Sequence, residues 1–216
     1  TKGSKSVAIG RAALNEQNFT TATDALNVAV GHEAGTAITT GIKNVLLGAN
    51  AGDHLTDADF NIAIGYLALD ADTLGSKSTA IGLQALTSQN FTTATDTFNT
   101  AVGFQAGMTL TTGTQNTLIG GLAGDAITTG VQNVAVGVDA LSTNTTADFN
   151  TAVGRSSLSV MNHTDGTDSH NTAVGYFSGA GVTTATNTTL LGSFAGSGTV
   201  TGNQNTMLGY ASGFNT

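Results

Sequence analysis

A five-position pattern runs the length of the chain: a polar residue, a Thr or β-branched residue, a small or aliphatic one, an aliphatic one, then Gly. Asn27-Val28-Ala29-Val30-Gly31, Asn44-Val45-Leu46-Leu47-Gly48, Asn99-Thr100-Ala101-Val102-Gly103, Asn133-Val134-Ala135-Val136-Gly137 and Asn171-Thr172-Ala173-Val174-Gly175 are copies of it. The pattern glycines are Gly10, Gly31, Gly48, Gly65, Gly82, Gly103, Gly120, Gly137, Gly154, Gly175, Gly192 and Gly209. Their spacings run 21, 17, 17, 17 and then repeat, so twelve short units group by fours into a period of 72 residues. The 216 residues hold three such groups, 1–72, 73–144 and 145–216. A fixed period of this kind marks a solenoid and constrains the fold before any other feature does.

Helices are disfavoured, because Gly recurs inside every unit among Thr and Val. Each copy of the pattern reads instead as a short strand ended by Gly. The aliphatic residue before that Gly (Val30, Leu47, Ile64, Val102, Ile119, Val136) is assigned to the core. Alternation along the strand then places Ala29, Ala63, Ala101 and Ala135, with Leu46, Leu118 and Leu190, on the opposite face. Small side chains there predict a second close-packed surface, suited to a neighbouring chain. Further along each unit an aliphatic residue (Ile38, Leu55, Leu110, Ile127, Val182) often precedes Thr-Thr-Gly, which predicts a second strand and a turn. The expected architecture is all-β: a parallel β-solenoid of about 12 rungs, each with two short strands, stacked about 4.8 Å apart over a length on the order of 58 Å.

Stacking aligns Asn27, Asn44 and Asn61 in one column, as it does Asn99, Asn116, Asn133, Asn150 and Asn171. Amides in such a column can bond from rung to rung. The longer intervals (15–26, 87–98 and 159–170) are expected to bulge at one corner every fourth rung. Asn18, Phe19, Asn90, Phe91, Asn162 and His163 in these loops are candidate surface-contact positions. Phe19 and Phe91 either stack on sugar rings or fold back over the core, and the second is favoured. Neither end carries an atypical capping unit. The step from Gly209 round to Gly10 would again be 17 residues, which predicts a segment of a longer array or a subunit stacking end to end.

Composition narrows the function. A net charge of −8 with only six Lys and Arg disfavours nucleic acid, and no apolar run approaches a membrane span. Without Cys the redox compartment is left open. Ser6-Val7-Ala8-Ile9-Gly10, followed by Ala13, resembles the head repeat of YadA-like trimeric autotransporter adhesins. The stretch from Asn99 to Ala106 is similar to the related repeats of phage tail-fibre proteins, and the likeness extends over all twelve units. It implies a left-handed parallel β-roll and three chains about a common axis, projecting from a cell or virion to adhere. The units here are longer than the usual adhesin head rung.

Chemistry is sparse. Asp53, Asp57, Asp59, Asp70 and Asp72 form an acidic stretch, and Asp53 and Asp70 lie 17 residues apart, hence in neighbouring rungs. A Ca²⁺ ion would relieve their repulsion, but a solvated acidic loop without metal is the favoured reading. His163 and His170, with Asp165 and Asp168 between them, match no standard metal spacing. No pair of acids is placed on one cleft, so no catalytic residue and no cofactor are expected. Asn18, Asn90, Asn162, Asn144 and Asn187 each begin an N-glycosylation triplet. The resulting expectation is a non-enzymatic structural and adhesive rod of an extracellular fibre (bacterial surface adhesin, phage tail fibre or self-assembling filament). Its partners would be copies of itself and a host-surface or glycan receptor. The alternative is a Thr-rich ice-binding β-solenoid, for which Thr39-Thr40 and Thr111-Thr112 are unfavourable: as sequence neighbours they point to opposite faces.

Overall fold

A computed structural model describes residues 2–214, which form an all-β parallel solenoid of about twelve turns. The chain divides into two compact units, Thr1–Gln105 and Ala106–Thr216. In the first, β1 (Gly3–Ser4), β2 (Val7–Ile9), β3 (Thr23–Asp24), β4 (Val28–Val30) and β5 (Val45–Leu47) are followed by β6 (Ile62–Ile64), β7 (Gly75–Ser76), β8 (Thr79–Ile81), β9 (Thr95–Asp96) and β10 (Thr100–Val102). The three-residue strands β2, β4, β5, β6, β8 and β10 pair in parallel in that order. Val28 faces Val45, Val45 faces Ile62, and Ile62 faces Thr79. In the second unit β11 (Thr117–Ile119), β12 (Val134–Val136), β13 (Thr151–Val153), β14 (Thr172–Val174), β15 (Thr189–Leu191) and β16 (Thr206–Leu208) pair likewise.

The two faces of the strand are the reverse of the sequence expectation. Ala29, Leu46, Ala63, Ala101, Leu118, Ala135 and Leu190 are 0% exposed and form the core. Val30, Leu47, Ile64, Val102 and Val136 stand half-buried on the outside, with Ile119 and Leu191 more open. The coil is narrow, so the strand centre has room for a methyl group, and for Leu only where glycines give way. A Cβ on Gly35 would lie 2.6 Å from a methyl of Leu46, and one on Gly124 would lie 2.7 Å from a methyl of Leu118. In the rungs with Ala63, Ala80, Ala135 and Ala152 at the centre, the position equivalent to Gly124 holds Leu69, Leu86, Leu141 and Leu158. These leucines adopt the same left-handed backbone, φ 50–54° against 57° at Gly124, so side-chain space and not backbone conformation demands the glycine. This exchange of volume between two positions underlies the four-rung period.

The predicted second strand does not form. Thr39 N, Thr40 N and Gly41 N all donate to the one carbonyl of Thr56, so no strand ladder can develop. The Thr hydroxyls bind rung to rung instead. Thr39 Oγ1 donates to the Thr56 carbonyl (3.2 Å) and Thr56 Oγ1 to that of Thr73 (3.1 Å). In the second unit Thr111 donates to Thr128 and Thr128 to Thr145, both at 3.0 Å. The first two long intervals do not bulge freely. Their Thr23–Asp24 and Thr95–Asp96 segments pair in parallel with Gly3–Ser4 and Gly75–Ser76, and Lys5–Asp24 and Lys77–Asp96 ion pairs close them.

Candidate functional site

The asparagine column is internal. Asn44 Oδ1 accepts the main-chain N–H of Asn61 (2.9 Å), while its Nδ2 donates to the Ala58 carbonyl (2.8 Å). Asn27, Asn133 and Asn171 do the same in their rungs. The expected rung-to-rung bonds are therefore present, but they run chiefly from amide to backbone. Each Asn closes its own turn and anchors the next coil. Side-chain pairing adds Asn133 to Asn116 (3.2 Å) and Asn150 to Asn133 (3.1 Å). The residue before each such Asn, for example Leu26, Lys43, Phe60 or Gln132, is left-handed (φ 55–60°), and the buried amide's bonds offset that local cost. The pattern glycines and asparagines are thus scaffold.

The surface that faces outward is the other side of the strands. Its two columns are Val28, Val45, Ile62, Thr79 and Thr100 beside Val30, Leu47, Ile64, Ile81 and Val102 in the first unit. In the second they are Thr117, Val134, Thr151, Thr172, Thr189 and Thr206 beside Ile119, Val136, Val153, Val174, Leu191 and Leu208. None carries a charge. Leu26, Phe60 and Phe98 on one side of the first unit's strands, and Tyr66, Leu83 and Phe104 on the other, are also exposed. Lys43 and Lys77 lie over the Phe60 and Phe98 rings, 4.9 and 5.2 Å from their centroids. In the second unit Tyr176, Phe177 and Phe194 cluster at 4.6–5.9 Å beside Arg155. An exposed apolar belt of this extent is the mark of an interaction surface on a folded chain.

The long-loop residues do not act together. Phe19, Phe91 and His163 are buried (7, 7 and 8% exposed), which removes their side chains from the candidate contact set. Phe19 packs against the Gly3 backbone, as the folded-back alternative expects. Asn18 and Asn90 are exposed, whereas Asn162 is half-buried and accepts from Thr145 Oγ1 (3.0 Å). Of the other glycosylation triplets, Asn187 is exposed and Asn144 is buried. His170 stacks on Phe149 (4.9 Å) and does not join His163 in a cluster.

The acidic stretch is not one solvated loop. Asp72 is fully buried in the column of Ile38 and Leu55. It accepts from Gly75 N (3.1 Å), Phe91 N (3.0 Å) and Gln89 Nε2 (2.6 Å), so Asp72 is part of the interior. Asp57 accepts from Thr40 Oγ1 (2.6 Å) and Asp59 from Ile42 N (2.7 Å). Asp53 and Asp70 do meet, as the 17-residue spacing predicts, and they meet at His54, which sequence reasoning passed over. Burial, then the adjoining Asp53 carboxylate, pushes the Asp70 carboxyl up to about 7. The signal that could have found His54 is its singularity, since the next 72-residue group has Ala126 there.

Comparison with protein-family models, curated proteins and solved structures finds no match to this chain. Function therefore rests on geometry.

Asp125, the counterpart of Asp53, supplies a pH-dependent contrast. Its Oδ1 is buried with no hydrogen-bond partner, and burial, reinforced by Asp139, raises its carboxyl pKa. A raised folded-state value means the proton is held more tightly in the fold, so stability falls as pH rises through it. Asp125→Asn is expected to melt higher than the parent at pH 7, with the gap closing near about pH 3.5. Thermal melts across that range test this; an equal gap at both ends contradicts it.

Proposed function

We propose that the chain is a non-enzymatic structural and adhesive rod of an extracellular fibre, and that copies of it associate laterally through the outer strand face. The observation that carries this reading is the uncharged double column of aliphatic and Thr side chains presented rung after rung. Such a face has a fixed axial repeat. The partner that matches that repeat along its length is a surface with the same repeat, namely a second copy of this chain. Three copies about an axis is the stoichiometry implied by the likeness to adhesin heads. The exposed Asn18, Asn90, Thr20 and Thr92 of the long loops provide amides and hydroxyls suited to a hydroxyl-rich glycan receptor.

Sedimentation equilibrium tests the association. The parent chain is expected at three times its 21.5 kDa mass. Val136→Lys, which puts a charge at the centre of the face, is expected at the monomer mass with unchanged circular dichroism. A parent that stays monomeric at micromolar concentration would remove this reading. A second reading, ice binding, is favoured by one observation. Thr172, Thr189 and Thr206 stand exposed on successive outer-strand positions, with hydroxyls not committed to the Thr–carbonyl ladder. Thermal hysteresis in the monomeric variant would support it.

A further inference from the structure

Asp53, His54 and Asp70 depart from the repeat together: one 72-residue group later the same positions hold Asp125, Ala126 and Ser142. Among the described residues this trio is the group of acidic and histidine side chains whose ligand atoms converge, all within 4.8 Å of one another. We propose that Asp53, His54 and Asp70 bind a divalent first-row transition ion of the Zn²⁺ type, which ties two neighbouring rungs of the first unit together.

The geometry suits such an ion. His54 Nδ1 lies 2.7 Å from Asp53 Oδ1 and 3.8 Å from Asp70 Oδ1. Ligand bonds of about 2.0 Å in a tetrahedron separate ligand atoms by about 3.3 Å, a value between those two distances. Small side-chain rotations would reach it, because the backbones are already held. Ala37 N donates to the Asp53 carbonyl (2.9 Å), and Ala71 N, next to Asp70, donates to Thr87 (3.1 Å). Asn50 Nδ2 donates to Asp53 Oδ2 (3.0 Å), which orients that carboxylate and leaves Oδ1 toward the centre.

The donor set decides the class of ion. Ca²⁺ takes six to eight oxygens, and an imidazole nitrogen beside two carboxylates selects a first-row transition ion instead. Charge points the same way. The ion-pair partner of both carboxylates among the described residues is His54; no Lys or Arg pairs with either. Two stacked carboxylates and one imidazole therefore concentrate negative charge at a point where a dication can sit. His54 is largely exposed, which leaves a coordination position open to water. On binding, the proton shared by Nδ1 and Asp53 leaves to solvent, so the nitrogen lone pair reaches the metal.

The test uses the full chain stripped with EDTA and is independent of lateral association, since stoichiometry is counted per chain. Calorimetric titration with ZnCl₂ is expected to show one saturable ion per chain, and Co²⁺ to give the visible absorption of a tetrahedral site. His54→Ala and Asp70→Asn are each expected to weaken Zn²⁺ binding at least tenfold, while His163→Ala leaves it unchanged. Circular dichroism confirms that the variants fold. Absence of saturable binding overturns the proposal, as does equal binding by His54→Ala. Ca²⁺ competing as well as Zn²⁺ overturns the choice of ion.

Discussion

Gly137→Ala is expected to unfold the rungs around it. The backbone there has φ +134°, a region open to Gly, and a Cβ would stand 2.6 Å from the carbonyl carbon and oxygen of Gly154 in the next rung. The obstacle is main chain on both sides, so no side-chain rotation relieves it. Relaxation would require the two rungs to separate, breaking the β12–β13 pairing and the Asn133–Asn150 bonds together. A cost above about 4 kcal/mol follows, a large part of the 5–15 kcal/mol that holds a typical domain. Chemical denaturation followed by circular dichroism measures it. A midpoint within experimental error of the parent would show that the glycine column is not a packing requirement.

The second large effect is a swap. Leu118→Ala empties a fully buried site and is expected to cost about 3 kcal/mol through lost burial and a residual cavity. Gly124→Leu alone forces a side chain into the space of Leu118 and the nearby Ile127 methyl, and overpacking of that kind is expected to cost about 3 kcal/mol or more. Together they recreate the Ala135 and Leu141 arrangement of the adjacent rung. The double variant is therefore expected within about 1.5 kcal/mol of the parent, far from the sum of the two singles. Additive losses would show that the alternation of volumes across rungs is incidental.

That swap also explains what the sequence disclosed and what it hid. The period, the parallel stacking, the strand at each copy of the pattern and the alignment of Asn27, Asn44 and Asn61 were all legible, because each repeats at a fixed spacing. The direction of the strand faces was not. Size alone assigns Val30 and Leu47 inward, whereas the interior has room for Ala29 and makes room for Leu46 only beside Gly35 and Gly52. The clue was the exchange itself, Leu at the strand centre wherever Gly follows and Ala wherever Leu69 or Leu141 follows. The missing second strand has a similar origin. Thr39, Thr56 and Thr73 look like strand residues by composition, yet their hydroxyls bond to the carbonyls above and take over the role of a ladder. His54 escaped notice because a residue that occurs once is invisible to an argument built on recurrence.

The rung-to-rung bonds of Asn, Thr and strand backbone join residues almost always 17 or 21 positions apart. Dividing the shorter spacing by the 216 residues gives a relative contact order of about 0.08, in the range of fast-folding helical bundles although every element is a strand. Assembly of the coil is then a zipper: a first pair of rungs is the slow step, and each later rung closes a loop no longer than the one before it. A nascent chain emerging from a ribosome could wind up turn by turn, with only its most recent seventeen or so residues ever waiting for a partner.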